Sequence, residues 1–141
     1  MKEIVLSPEE MALILNAGID ASNASMAWVT NKYNLREPRL CTLETYEDRK
    51  LIDANHGSMM PAFTFTDIVD ILPKYVIVDD VAYFLTIAID STGYVITYCT
   101  DHINSTLFST ASKTSMLDAG FKMLMWCSDN GFLTKGKDGN N

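Results

Sequence analysis

An α+β domain is the fold class this sequence predicts: a two-layer sandwich, with an antiparallel meander sheet and helices packed mainly on one face. Three observations predict it. The apolar spacing is helical near both ends of the chain and extended between residues 75 and 100. The extended stretches are separated by short polar breaks, which favour hairpins. The 141 residues are 48% hydrophobic and 21% charged, ordinary proportions for a packed globular chain. One domain over residues 1–133, followed by a polar tail at 134–141 that reads as frayed, accounts for the length.

Ser7-Pro8-Glu9-Glu10 opens the first helix. Serine can cap the free amides, proline suits the first helical position, and Glu10 completes a capping box. Met11, Ile14 and Leu15 form a stripe, and Gly18 is a natural stop, so the helix is predicted over residues 8–18. A strand is predicted from Ser25 to Thr30, a loop over 31–37, and a second strand from Leu40 to Leu43 paired with the first. Residues 44–57 mix charge with Leu51 and Ile52 and fit helix and strand equally. Thr64 to Pro73 reads as a short helix with Phe65, Ile68, Val69 and Leu72 inward. Its carboxylates Asp67 and Asp70 are expected on the solvated side, and Pro73 ends it.

The period then changes. Tyr75 to Val78, Tyr83 to Ile89 and Tyr94 to Thr100 are rich in β-branched and aromatic residues, separated by Asp79-Asp80 and by Asp90-Ser91-Thr92-Gly93. Leu85, Ile87 and Ile89 are expected to face the helices, and Thr106 to Ser109 to add a short edge strand. The last helix is predicted from Lys113 to Asn130, stopped by Gly131 with Phe132 folding back. Met116, Leu117, Gly120, Phe121, Leu124 and Cys127 share one side of it. Asp118 and Lys122 form a favourable pair on the other. Met125 and Trp126 flank the polar strip, so the apolar arc is wider than one sheet face needs. Either the first helix or a partner would cover the excess.

A net charge of −7 disfavours electrostatic binding to nucleic acid, and no partner of that kind is expected. An odd count of three cysteines, Cys41, Cys99 and Cys127, argues against a disulfide framework and suits a reducing, cytoplasmic setting. No leader-like apolar segment follows Met1, and no stretch reaches the roughly 20 apolar residues of a membrane helix.

The densest set of reactive side chains is Cys99, Asp101 and His102. Cysteine and histidine three residues apart could supply two zinc ligands, but nothing in the spacing of Cys41, His56 or Cys127 supplies the others, so neither metal nor cofactor is expected. A nucleophilic set would need Asp101 to orient His102, and neighbours on an extended chain point to opposite sides. Neither nucleotide-binding glycine pattern occurs.

Three stretches carry a resemblance. They are Ala24-Ser25-Met26-Ala27-Trp28, then Pro61-Ala62-Phe63-Thr64 through Asp67 to Leu72-Pro73, and Leu117-Asp118-Ala119 through Met123-Leu124-Met125-Trp126-Cys127 to Asn130-Gly131. In this order the chain resembles small proteins of gut Bacteroidales and their phages or mobile elements, while residues 31–60 depart from the pattern. The resemblance brings no catalytic or binding residue. It implies an intracellular setting and an accessory role in phage or mobile-element biology. The leading expectation is therefore a non-enzymatic protein that acts through a protein contact, with a partner or a second copy. Trp126, Met125 and Met123 are its candidate anchors. The alternative is a small enzyme or a ligand- or metal-binding domain built on Cys99, Asp101 and His102 at the hairpin end.

Overall fold

The computed structural model describes residues 4–31, 34–42, 58–100 and 105–133. They form an α+β protein with antiparallel sheets throughout, and divide at Asp67/Ile68 into two compact units. The expectations for residues 44–57 and for the tail at 134–141 lie outside the described residues.

The first unit starts with α1, Pro8–Asn16. Ser7 Oγ accepts from the Glu10 amide at 3.1 Å and Glu10 returns the bond to the Ser7 amide at 3.0 Å, so the capping box forms as its sequence predicts. The helix ends two residues early at Asn16. Gly18 takes a φ of +82°, and the Ile19 amide donates back to Ile14. Its sheet has the order β2-β1-β3, with β1 at Met26–Asn31, β2 at Asn34–Thr42 and β3 at Ser58–Ala62. Residues 34–37, expected in a loop, belong to β2, and Asn31 faces Asn34. The sequence reading has no counterpart of β3. Ser58-Met59-Met60-Pro61-Ala62 lacks β-branched residues, and its proline reads as a break.

Met11, Ile14, Ala27, Ala62 and Phe63 form a core from which water is excluded. Its polar groups are paired. Leu6 donates to the Phe63 carbonyl, and the Trp28 indole donates to the Leu6 carbonyl at 2.8 Å. At the end of this unit begins α2, Phe65–Ile71. Here the structure corrects an expectation. Asp67 is only 6% exposed, because its carboxylate accepts from the Ser25 amide at 2.9 Å, the Ser25 hydroxyl at 2.6 Å and the Thr64 amide at 2.9 Å. Thr64 Oγ1 in turn caps the Asp67 amide. The charge is a structural clamp rather than a solvated face; Asp70 is exposed.

The second unit is a meander of order β4-β5-β6-β7, with strands at Tyr75–Val78, Val81–Asp90, Gly93–Cys99 and Thr106–Ser112. Asp79 and Asp80 turn the first hairpin with φ of 52° and 67°, a left-handed pair that a two-residue hairpin requires and aspartate tolerates. Asp90 accepts from the Thr92 hydroxyl and amide in the second turn, which holds its carboxyl below the ordinary range. Gly93 has a φ of +117°, and a Cβ there would stand 2.5 Å from the Ser112 carbonyl oxygen, so only glycine fits. The strand expected at Thr106 to Ser109 runs on to Ser112.

The final helix α3, Met116–Asp129, begins later than Lys113 because Ser115 is its cap. Before it, Ser112 Oγ accepts from the Thr114 and Ser115 amides and holds a turn. Gly131 and Phe132 end it as expected, with a φ of +76° and a bond from the Phe132 amide to Cys127. Asp118 and Lys122 pair at 3.2 Å. No described helix is long and apolar enough to cross a membrane.

Candidate functional site

The terminal helix presents less surface than its sequence suggests. It packs on β6 and β7, and Ile96 and Tyr98 of the sheet and Leu124 and Cys127 of the helix are fully buried, with Leu117 nearly so. Thr110 Oγ1 donates to the Ala119 carbonyl at 2.9 Å and fixes the helix over the sheet. Met123 is fully buried, so the structure corrects its place among the candidate anchors: it fills the core and offers nothing to a partner. Trp126 is half-buried and stacks on Phe108, with centroids 4.4 Å apart and planes 3° from parallel. Tyr98 and Phe132 adjoin it at 6.2 and 5.4 Å. Such a cluster holds the helix end to the sheet, and much of the excess apolar arc is taken up inside this unit. Met125 is half-buried.

Beneath this cluster the Tyr98 hydroxyl donates to the Pro73 carbonyl at 2.6 Å and accepts from the Cys127 thiol at 3.9 Å. Burial raises the Tyr98 pKa far above that of free tyrosine and pushes the Cys127 thiol up to about 11. Cys127 therefore stays a protonated, unreactive core thiol at neutral pH.

At the hairpin end, Cys99 is half-buried, with Thr86 Oγ1 3.5 Å from its sulfur. The Thr100 amide donates to the Ser105 carbonyl and closes the loop. Asp101 and His102 lie outside the described residues. Cys99 and Cys127 are both free thiols, and among the described residues no three histidine, cysteine or acidic side chains gather as a metal-holding group.

The feature that sequence reading missed is on the sheet. Register places Val76, Tyr83, Leu85, Ile87 and Ile89 on the side that carries Ile96 and Tyr98. The helix covers β6 and β7 but not the far end of β5. Ile87 and Ile89, expected under helices, are 39% and 71% exposed. On the opposite face Tyr75 lies directly across from Phe84, with rings 5.9 Å apart, and Phe84 across from Cys99. Ile77 stands two residues along the same face. Tyr75, Ile77 and Phe84 are 54%, 59% and 43% exposed. The signal was present in Tyr75-Val76-Ile77-Val78, which is apolar at both parities although a meander covered on one side needs only one apolar parity.

No protein-family model, curated protein or solved structure matches the chain.

Proposed function

We propose that this chain is a non-enzymatic binding or accessory protein acting through a protein–protein contact, and that the contact lies on β4 and β5. What supports the reading is the adjacent trio Tyr75, Ile77 and Phe84, each more than two-fifths exposed on one sheet face. The uncovered face of an antiparallel sheet is ordinarily polar, and contiguous exposed apolar residues mark interaction sites. Aromatic residues contribute most at such contacts because they bury large area at small conformational cost. The trio takes over the role first assigned to Trp126, Met125 and Met123. The cytoplasm, and an accessory role in phage or mobile-element biology, form the setting implied by the resemblance.

The test is a photo-reactive phenylalanine analogue at Phe84, irradiated in host lysate and in purified protein. The reading predicts a discrete protein adduct in at least one of them, lost when Tyr75 and Ile77 are both changed to serine. Absence of any protein adduct from position 84 in both would contradict it.

A further inference from the structure

An edge strand presents a row of unused N–H and C=O groups, and natural sheets obstruct that row to prevent unwanted pairing. Among the described residues the edges are β2 and β3 of one sheet and β4 and β7 of the other. Three of them carry an obstacle. Pro38 lies in β2 and Pro61 in β3, each removing a donor. β7 joins β6 through a register shift at Tyr98/Cys99, which bends a strand out of regular pairing. β4 has neither proline nor charge, and its register with β5 is regular throughout.

The hydrogen-bonding phase of β4 fixes which of its groups are unused. The Leu85 amide donates to the Lys74 carbonyl at 2.9 Å, in line with a register that sets Val76 against Tyr83 and Val78 against Val81. Bonded and non-bonded pairs alternate along an antiparallel ladder. Lys74, Val76 and Val78 thus turn their backbone groups toward β5, while Tyr75 and Ile77 turn theirs to the open edge. These are the two β4 residues whose side chains stand exposed on the uncovered face.

We propose that β4 pairs antiparallel with β4 of a second copy of this chain, about a two-fold axis through Val76, joining two four-stranded sheets into one. The proposal rests on the reading of β4–β5 as a protein contact. Symmetry and the donor inventory select the register. An axis normal to the sheet requires facing residues to share a side of it, so it must pass through a residue. Centred on Tyr75, it would bring Pro73, which has no N–H, against Ile77. Centred on Ile77, it would bring Tyr75 against Asp79, whose φ of 52° has left the extended region. Centred on Val76, it sets Tyr75 against Ile77 of the second copy twice, and every outward group of both residues is used.

That register also satisfies charge. Facing residues then run from Lys74 opposite Val78 of the second copy, which brings the Lys74 end of one strand to the Asp79-Asp80 turn of the other. β4 is thus preceded by a base and followed by an acidic turn, so its charges are complementary to its own when reversed.

Sedimentation equilibrium of the purified chain at 0.15 M salt tests the proposal. The apparent mass should rise from 15.7 kDa toward twice that value as concentration increases. Ile77→Pro removes an outward donor without touching the bonds to β5, and should hold the chain at the monomer mass. Lys74→Asp should do the same by opposing acid to acid, and adding Asp80→Lys should restore the dimer. If Ile77→Pro fails to fold, the exposed Lys74→Asp and its charge swap decide. A wild type that stays monomeric to about 1 mM overturns the proposal. So does association unchanged by these substitutions. Monomeric wild type with an adduct from Phe84 to a different protein would remove the second copy and leave the protein-contact reading standing. Monomeric wild type with no adduct would remove both.

Discussion

Replacing Asp67 with alanine is expected to destabilise the protein by about 2–4 kcal/mol, since hydrogen bonds to a charged group contribute about 1.5–3 kcal/mol and buried amides left unpaired cost more. The carboxylate accepts from the Ser25 amide, the Ser25 hydroxyl and the Thr64 amide, and is almost wholly buried. Alanine would strand both amides and open the first turn of α2. Asp67→Asn can keep its carbonyl oxygen on both amides and turn its NH₂ to the Ser25 hydroxyl, but it gives up the charge on those bonds, so it should recover only part of the loss. Ser25→Ala removes a single hydroxyl donor and should cost about 1 kcal/mol. Urea midpoints for the three variants give the ranking directly. Equal midpoints for Asp67→Ala and wild type would show that the clamp holds nothing.

Trp126→Ala is expected to cost about 3 kcal/mol, the lower end for removing a large aromatic from a packed site, because the ring is half-buried. The lost contacts are the stacked Phe108 and the tilted Tyr98 and Phe132, which together fasten the end of α3 to β6 and β7. Trp126→Phe should return most of the stability by preserving one ring in the stack. The same variant separates two readings of this residue. If Trp126 serves packing, stability falls while crosslinking through Phe84 persists under conditions where the variant is folded. If it anchors a partner, the adduct is lost with little change in the unfolding midpoint.

Local chemistry decided which parts of the fold were legible in the sequence. The box Ser7–Glu10, the stops at Gly18 and Gly131 and the hairpin turns at Asp79-Asp80 and Asp90-Gly93 rest on bonds within a few residues, and all formed where expected. Asp67 was misplaced because its partner Ser25 lies 42 residues away. β3 was missed because its pairing to β1 outweighs the poor strand propensity of Met59, Met60 and Pro61. For the candidate site, helical projection located the apolar arc of α3 but could not tell that Phe108 and Phe132 would take up Trp126. Conversely, the exposed face of β4 and β5 depends on where a helix stops covering a sheet. Ile87 sits directly across from the buried Ile96 and is nonetheless open to solvent.

Amide hydrogen exchange at β4, followed residue by residue at two protein concentrations, tests the central claim most directly. Val76 and Val78 lie on the β5 side of the ladder and should be protected at both. The account predicts that Tyr75 and Ile77, whose amides point outward, exchange rapidly in dilute solution and become protected as concentration rises. Rapid exchange of these two amides at every concentration, with Val76 protected throughout, would contradict it.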